Sequence, residues 1–427
     1  MMSTALKIGT AGVPIPAIRR GPRVVRVALA GCGTVGGELV RLLHQGADEI
    51  RARHGLRFEL VRVLVAHGER PRPGELDRAL LTTDVDTFLA TDADIVVEAI
   101  GGLDPALRIA RATLAAGRRL VTANKALVAA HGPELAEMAL RHRGRLDFES
   151  AVMGGVPVIR ALREPLSLTG IRSIRGILNG TTNYILSRLE DGWTFPAALA
   201  EAQARGFAEA DPSRDLSGED AADKVRILAW LAFGADPERL EVRRRGLGDR
   251  AERLAHAAGA LGGVARLVAE AARLPEGVVV SVEPVLVGAA SELGRTRDEE
   301  NAVVIESEWN GRVRLSGPGA GGAPTASALL GDMVRSAVCH RAPADGGTPS
   351  IPDRRPHAWA IAVERGQLPE AALRATLDRV DVEVHRIARG KGVSVMRTQP
   401  TPWPRIGLAV RALEGQGLAP AVLRVGE

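Results

Sequence analysis

The chain has 427 residues, 45% hydrophobic and 25% charged, a composition typical of a globular protein with two or three domains. Its net charge is +5, but the arginines are scattered among acids, and only six Phe, five Trp and one Tyr are present for base stacking. A nucleic-acid partner is therefore not expected. No apolar run approaches the roughly 20 residues of a membrane span, so a membrane partner is not expected either.

The N-terminal stretch, residues 1–22, lacks the apolar core of a secretion signal and is interpreted as a disordered leader. The two cysteines, Cys32 and Cys339, lie far apart in the sequence. Their small number is typical of a reducing compartment without structural disulfides, and a cytoplasmic location is expected.

Lysine is rare in this chain. Lys and Arg total 56 residues, but only four are lysines: Lys7, Lys125, Lys224 and Lys391. Arginine stays protonated in proteins, whereas lysine can be tuned to exchange a proton. A lysine that remains in so arginine-rich a chain is therefore a candidate for acid–base chemistry, with chance survival as the alternative.

Residues 23–45 have the pattern of a short apolar strand, a glycine turn and an amphipathic helix. Gly31, Gly33 and Gly36 form G-x-G-x-x-G at the turn. These positions allow a tight turn, close approach of a pyrophosphate and close helix–strand packing, with the phosphates on the helix N-terminus. The pattern predicts a dinucleotide site, and an ordinary strand–helix turn is the alternative.

Strands and helices alternate through the rest of the first 150 residues. Strands are predicted at 59–65, 94–100, 118–123 and 145–150, and helices at 104–117 and 132–144. Such alternation is typical of a parallel sheet covered by helices on both faces. The sequence thus predicts an α/β fold class, with a Rossmann NAD(P)-binding domain at 23–150.

The pattern changes after residue 150. Strands are predicted at 170–178, 277–287, 301–307 and 311–316, and helices at 181–190, 196–205 and 217–233. We expect an α+β catalytic and dimerisation domain at 151–321, its sheet largely open and covered by helices on one side. A helix at about 322–340 returns to complete the Rossmann domain. A linker at 341–356 precedes a βαββαβ unit at 357–427, the order of a ferredoxin-like fold.

Residues 208–224 contain six carboxylates and end on Lys224. Ser217 and Asp220 resemble a capping box, which predicts that a helix begins at Ser217. On that helix Asp220 and Lys224 share the apolar face with Ile227, Leu228 and Leu231, whereas Glu219 and Asp223 fall on the solvated side.

The pair Asp220 and Lys224 is a candidate catalytic pair because burial and a partner charge can tune the lysine. A structural ion pair is the alternative. Glu209, Asp211 and Asp215 precede the helix and suit a substrate that carries an amine. The spacing does not match a calcium-binding loop, so a divalent metal is disfavoured here.

Two further turns are candidate ligand contacts. The polar turn 179–183 follows a strand, and a capped helix start is the alternative to a substrate-facing turn there. Lys125 lies just beyond the end of a parallel strand, where ligands bind in open α/β sheets. Neither cysteine has a convincing histidine partner for nucleophilic chemistry, although His340 adjoins Cys339.

Taken together, these motifs closely resemble the homoserine dehydrogenase family over about residues 24–340. The matching blocks follow the family's order and are GCGTVG, TANKALVA, FESAVMGGVPVIRALRE, GILNGTTNYIL, EAQARGFAEADPSRDLSGEDAADKVRILAWLAFG and GPGAGGAPTASALLGDMV. The resemblance implies NAD(P)-dependent, reversible reduction of L-aspartate 4-semialdehyde to L-homoserine, on the route to threonine, methionine and isoleucine. It also implies a homodimer or homotetramer.

The resemblance also implies residue roles. Lys224 becomes the proton donor, Asp220 its orienting partner, and Lys125 the residue between nicotinamide and substrate. The implied substrate contacts are Glu209, Asp215, Asn179, Gly180 and Thr181. The implied cofactor contacts are Gly31, Gly33, Thr34, Val35, Gly36, Lys125 and Gly321, the last in a turn that closes over the cofactor. A sodium or potassium ion is implied on Glu149 and the backbone oxygens of Val152, Gly154 and Val156.

Two departures from the family pattern bear on these implications. The arginine that commonly binds the 2′-phosphate of NADPH is replaced by Ala66, and Arg70 or Arg72 can take its place, so NADP and NAD both stay open. The tail lies where a regulatory ACT domain is expected, but it lacks the usual D-x-P-G-V-L turn. A non-catalytic, ligand-sensing paralogue and another amino-acid dehydrogenase are the alternative functions.

Overall fold

The computed structural model describes residues 22–72, 76–338 and 351–426. Most of the expected leader and linker, and Cys339 with His340, lie outside these ranges. Among the described residues, no helix combines the length and apolar character that crossing a membrane requires.

The first region forms a parallel sheet of six strands. Its strands are β1 (Arg23–Ala30), β2 (Leu56–Leu64), β3 (Leu81–Thr82), β4 (Ile95–Glu98), β5 (Arg119–Thr122) and β6 (Arg145–Asp147). Its helices are α1 (Thr34–Gln45), α2 (Ala47–His54), α3 (Val85–Leu89), α4 (Ala106–Ala115) and α5 (Lys125–Arg141). The strand order β3-β2-β1-β4-β5-β6 is that of a Rossmann sheet, which confirms the predicted fold class for this region.

The predicted start of the fifth helix is wrong. The helix was expected at 132–144, but α5 begins at Lys125, seven residues earlier. The Asn124 side chain accepts a hydrogen bond from the Leu127 backbone N–H at 3.1 Å and so caps the helix at that point. Pro133 lies inside α5. The correction places Lys125 in the first turn of a helix.

The middle of the chain, within the described residues, supplies six α-helices and six strands. The helices are α6 (Val158–Arg163), α7 (Gly180–Glu190), α8 (Phe195–Ala204), α9 (Ser213–Leu216), α10 (Glu219–Phe233) and α11 (Ala251–Ala260). The strands are β7 (Ile171–Ile177), β8 (Val242–Arg244), β9 (Val264–Leu274), β10 (Gly277–Val287), β11 (Glu300–Ser307) and β12 (Gly311–Pro318). Helix α12 (Gly322–Val338) then returns to pack on α1 through Ala326, Leu329 and Met333.

The C-terminal unit extends the same sheet. Its elements are β13 (Pro356–His357), β14 (Trp359–Glu364), α13 (Glu370–Asp378), β15 (Val384–Gly390), β16 (Val393–Thr398), β17 (Thr401–Pro402), α14 (Trp403–Glu414) and β18 (Ala421–Val425). The second sheet runs β12-β11-β7-β9-β10-β18-β14-β16-β15, and β8 pairs with β10. The unit therefore joins the middle of the chain through β18 on β10, and its assignment as a regulatory domain stays a prediction.

Candidate active site

The centre of the site is an ion pair on the first turns of α10. Lys224 Nζ lies 2.7 Å from Asp220 Oδ2 and also donates a hydrogen bond of 2.7 Å to the Leu178 backbone oxygen. Both side chains are buried, with Lys224 only 8% exposed. An ammonium group has three N–H donors, so these two contacts leave one for a further acceptor.

A second lysine reaches the same carboxylate. Lys125 Nζ lies 2.9 Å from Asp220 Oδ1, although its side chain is 38% exposed. Burial opposes the charged form of Lys125, but the charge of Asp220 and a hydrogen bond to it outweigh burial and raise the lysine pKa. Asp220 therefore bridges α10 to the first turn of α5, and it joins two of the chain's four lysines.

The charges around Asp220 keep it ionised. Burial would raise its pKa, but Lys224, Lys125 and a hydrogen bond from Asn179 together hold the pKa well below the usual range for aspartate. A carboxylate in this state holds both ammonium groups in place without competing for their protons.

Asn179 links this ion pair to a second carboxylate. Its Nδ2 donates to Asp215 Oδ1 at 2.6 Å and to Asp220 Oδ2 at 2.9 Å. Its Oδ1 accepts from the Thr182 backbone N–H at 2.8 Å and so caps α7. Burial raises the pKa of Asp215, while the Asn179 hydrogen bond opposes that rise. Asp215 is thus a half-buried carboxylate at the edge of the cluster.

The predicted helix start at Ser217 is wrong, and so is the solvated position of Asp223. Residues 213–216 form the separate short helix α9, and α10 begins at Glu219 after Gly218, which has a left-handed φ of 78°. Ser217 does not cap α10 but ends α9 as its C-cap residue, and its hydroxyl accepts a hydrogen bond from Arg244. The Asp223 side chain is only 16% exposed because Arg214 covers it at 3.0 Å, whereas Glu219 is 44% exposed.

The other expected substrate contacts lie around the same centre. Gly180 and Thr181 are the first residues of α7, and the Thr181 hydroxyl donates a hydrogen bond of 2.6 Å to the Phe207 backbone oxygen. Glu209 follows two residues later and is exposed. The structure therefore brings Asn179, Thr181 and Asp215 together, while Glu209 lies in the loop beside them.

The glycine loop has the geometry that its pattern predicts. A Cβ at Gly31 would lie 2.6 Å from the Ala99 oxygen, and one at Gly36 would overlap the Gly31 oxygen, so neither position has room for a side chain. A Cβ at Gly33 would meet nothing within 4 Å. Gly33 therefore presents bare backbone to open space at the start of α1, where a pyrophosphate can approach.

The cofactor turn, residues 317–321, lies beside the same helix. A Cβ on the neighbouring Gly322 would lie 3.1 Å from Thr34 Cγ2 and 3.0 Å from Glu38 Cγ. Gly321 has a φ of 112°, which favours glycine. The turn and the first residues of α1, Thr34 and Val35, thus form one edge of the candidate cofactor cleft.

Sequence reasoning missed the residues beyond β4. The buried Glu98 carboxylate accepts hydrogen bonds from the backbone N–H groups of Ile100 at 2.8 Å and Gly101 at 3.2 Å. Gly101 and Gly102 have positive φ values, and a Cβ on either would meet open space. Two consecutive glycines after a parallel strand were the available signal for this part of the cleft.

An arginine in the loop that follows β2 contacts the glycine loop. Arg72 Nη2 donates a hydrogen bond of 2.8 Å to the His67 backbone oxygen, and its Nη1 donates to the Cys32 oxygen in the glycine loop. Ala66 and Arg70 are exposed. Cys32 itself is buried, and burial raises the pKa of its thiol. Of the two candidate arginines, Arg72 is the one in contact with the loop.

The residues expected to hold a monovalent cation lie in the segment between β6 and α6. Glu149 is buried, and its carboxylate oxygens accept backbone N–H bonds from Ile159 and Arg160, each 2.8 Å long. Burial raises the Glu149 pKa. The loop reverses at Met153 and Gly154, whose φ values are 59° and 49°.

The donor set is therefore one fixed carboxylate with free lone pairs and neighbouring backbone oxygens, which suits a hard cation. Within the described ranges, no group of three or more His, Cys, Asp or Glu side chains is placed to hold a metal ion.

Known proteins share both the NAD-binding region and the middle region of this chain. A family model for the homoserine dehydrogenase NAD-binding domain matches residues 31–149, and the homoserine dehydrogenase model matches 157–334. Homoserine dehydrogenase from Corynebacterium glutamicum is 41% identical over 326 residues, covering 74% of this chain and 73% of that protein. The chain belongs to the homoserine dehydrogenase family.

Solved structures extend the similarity to the C-terminal unit. The crystal structure of a homoserine dehydrogenase from Thiobacillus denitrificans matches with a TM-score of 0.83 at 32% identity, over 95% of this chain and 99% of that one. A hyperthermophilic archaeal homoserine dehydrogenase in complex with NADPH matches with a TM-score of 0.62 at 26% identity, over 74% of this chain and 98% of that one. The family resemblance is confirmed, and these relatives favour an oxidoreductase over a ligand-sensing paralogue.

Proposed function

We propose that the protein catalyses the reversible, NAD(P)-dependent reduction of L-aspartate 4-semialdehyde to L-homoserine. The main support for this function is that Lys224 and Lys125 both contact the buried carboxylate of Asp220. Lys125 lies at the carboxyl end of a Rossmann strand. A carbonyl reduction needs a hydride and a proton donor. The shared contact with Asp220 links the candidate proton donor Lys224 to Lys125 at that strand end, where dinucleotides bind in this fold, and so supports the proposal.

The nicotinamide cofactor supplies the hydride in reduction and accepts it in the reverse direction. Lys224 donates a proton to the carbonyl oxygen through the N–H that Asp220 and Leu178 leave available. Asp220 orients Lys224 and stabilises its charge before transfer. Lys125, more exposed and held by the same carboxylate, lies between the cofactor cleft and the substrate.

The substrate carries an ammonium and a carboxylate, and the two ends of the site differ in charge. Asp215, with Glu209 in the adjoining loop, attracts the ammonium. The N-terminus of α7 at Gly180 and Thr181 presents backbone N–H groups to the carboxylate. Asn179 holds Asp215 and the α7 N-terminus together, so both ends of the substrate are positioned relative to Lys224.

The cofactor contacts follow the loop geometry. Gly31, Gly33 and Gly36, with Thr34 and Val35, receive the pyrophosphate, while Gly321 closes the other edge. Arg72 donates hydrogen bonds to the Cys32 oxygen in the glycine loop and to the His67 oxygen, and these contacts support a role for Arg72 in binding the 2′-phosphate of NADP. We infer a preference for NADP over NAD. Sodium or potassium on Glu149, Val152, Gly154 and Val156 would steady the loop beside the cofactor turn.

The protein is further proposed to be a cytoplasmic homodimer or homotetramer. Leu168 is 82% exposed and Trp309 is 75% exposed, and they adjoin because the Trp309 backbone N–H donates to the Thr169 oxygen. Large exposed apolar side chains on neighbouring turns support the proposal that this region is an association surface. The C-terminal unit is proposed as a regulatory domain in threonine, methionine and isoleucine biosynthesis.

Turnover and binding measured on the same protein test the function. L-Homoserine with NADP or NAD, in sodium or potassium buffer, should yield reduced cofactor, followed by its near-ultraviolet absorbance. Cofactor binding measured by fluorescence serves as the parallel measurement. Binding without turnover in every buffer would contradict the enzyme and support the ligand-sensing alternative.

A further inference from the structure

Asn301, the second residue of β11, carries a buried carboxamide without a hydrogen-bond partner. Its residue is 1% exposed, and neither Nδ2 nor Oδ1 is paired within the described part of the chain. Leaving a buried polar group unpaired costs about 1–3 kcal/mol. An apolar side chain of the same shape, such as leucine, would avoid that cost, so the retained asparagine calls for a functional reason.

The carboxamide lies between two turns of the candidate site. A Cβ on Gly319, in the cofactor turn, would overlap the Asn301 carboxamide. A Cβ on Gly180, in the substrate-facing turn 179–183 (here called the substrate turn), would lie 3.5 Å from Asn301 Oδ1 and 2.8 Å from the Glu299 oxygen. Two glycines therefore let backbone from both turns approach the same side chain.

The far side of the cofactor turn is also supported. The Gly155 backbone N–H donates to the Pro318 oxygen at 3.3 Å, and a Cβ on Gly154 would lie 2.9 Å from the Gly319 oxygen. Gly319 is thus held between Asn301 and the loop proposed to bind a cation. A shift of Gly319 cannot occur without displacing one of these neighbours, because interiors are close-packed.

We propose that Asn301 is a positioning residue that couples the cofactor turn to the substrate turn. Its carboxamide carries donors and an acceptor, so it can exchange hydrogen bonds with peptide groups of either turn when the other is fixed by ligand. Binding of cofactor then favours the substrate turn that receives homoserine, and binding of homoserine favours the cofactor turn to the same degree. This inference rests on the proposed function.

The test compares Asn301→Leu with wild type in three measurements. The dissociation constant of NADPH is measured by its fluorescence with and without L-homoserine, a pair that cannot react. In wild type, homoserine should tighten NADPH binding about 10-fold, within the usual range of coupled sites. In Asn301→Leu that ratio should fall to near one, kcat/KM for homoserine should fall about 10-fold, and the unfolding temperature should be unchanged or higher.

Thr113→Val is the matched control. The Thr113 hydroxyl is also buried and unpaired, but it lies on α4. Its replacement should leave stability equal or higher, with coupling and kinetics as in wild type. The same lack of effect from Asn301→Leu on coupling and kinetics would overturn the inference.

Asn301→Asp provides a second variant in case the leucine variant does not fold. A buried aspartate has a raised pKa, and its neutral form restores one donor. The coupling ratio of this variant should therefore rise as pH falls, whereas a pH-independent ratio equal to that of wild type would contradict the inference. Wild-type protein that binds NADPH but never oxidises homoserine would instead refute the proposed function itself.

Discussion

Two buried ion clusters differ in the cation they use. In the active site, Lys224 and Lys125 share the carboxylate of Asp220. Beneath the C-terminal unit lies a second cluster, here called the arginine seam, which consists of Arg243, Arg245, Arg355, Arg424, Glu270, Glu283 and Asp353. The seam contains no lysine, although it is just as buried, with Glu283 fully enclosed.

The difference follows from what each cation can do. Arg424 reaches Glu270 with one nitrogen and Glu283 with another, so its planar fork joins β18 to both β9 and β10. Lys224 is a compact charge with a spare donor and an exchangeable proton. Arginine is therefore used where charges must hold elements together, and lysine where a proton must move.

The variant Lys224→Arg tests whether the active site needs a lysine, and the largest effect is expected here. Arginine keeps the positive charge beside Asp220 but does not give up a proton at neutral pH. We expect kcat to fall roughly 10³-fold, the range of a lost general acid, with little change in unfolding temperature. Steady-state kinetics and thermal unfolding measure the two effects. A variant with near-normal kcat would remove Lys224 from the role of proton donor.

The contribution of the arginine seam to the free energy of unfolding should instead depend on pH in the acid range. Burial would raise the pKa of Glu270, but Arg424, Arg175 and Arg355 lower it to about 2. Because this pKa is lowered on folding, the stabilisation is complete above the unfolded value near 4.3. It is lost as pH falls toward 2, and the loss amounts to about 3 kcal/mol.

Urea unfolding from pH 6 to pH 2 measures this dependence. The free energy of unfolding of wild type should decrease more steeply with falling pH than that of Glu270→Gln, which binds no proton at this position. Parallel pH profiles for the two proteins would show that the seam does not hold Glu270 ionised.

Arg424→Lys is the converse exchange within the seam. A single ammonium cannot reach Glu270 and Glu283 in the geometry of the guanidinium fork, so one carboxylate loses a buried partner. We expect a loss of about 2 kcal/mol in the free energy of unfolding, with kcat for homoserine unchanged. Denaturant unfolding and kinetics measure both. A large fall in kcat without destabilisation would mean that the seam acts on catalysis.

The sequence alone predicted part of the active-site cluster but not the arginine seam. The Rossmann fold and the pair Asp220–Lys224 could be predicted because glycine spacing and helical periodicity are local signals. The bridge from Lys125 to Asp220 depends on α5 beginning at Lys125, directly after its cap Asn124, and the Gly-Pro pair at 132–133 concealed that start.

The seam was missed because its acids and arginines come from distant strands. One of them, β9, has the sequence VARLVAEAARL, whose Ala, Leu, Glu and Arg favour helices. Its place in the middle of a sheet is set by tertiary packing, which overrides local propensity. The unpaired Asn301 likewise has no local signal.

Arg72→Ala tests whether an arginine outside the seam recognises a ligand. Removal of this guanidinium from the loop after β2 should raise the KM for NADPH about 10-fold, the scale of one lost charge-assisted contact. It should leave the KM for NADH nearly unchanged, because NADH lacks the 2′-phosphate. Arg70→Ala is the control, since Arg70 is exposed nearby. Equal increases in the KM for NADPH and for NADH would show that Arg72 stabilises the glycine loop but does not bind the 2′-phosphate.

The variant Asp223→Asn is expected to have the smallest effect on activity. It allows Asp223 to be compared with Asp220, which lies on the same helix, α10. Asp220 faces the lysines, whereas Asp223 is covered by Arg214 and affects the site only through its charge, which contributes to the raised pKa of Lys125. Removing that charge should lower the Lys125 pKa slightly and shift the alkaline limb of kcat/KM to lower pH, while kcat at neutral pH stays within about twofold. Asp220→Asn, measured alongside, should lose most activity because both lysines lose their shared partner. If the two variants behaved alike, the separation of a catalytic and a structural face on α10 would be refuted.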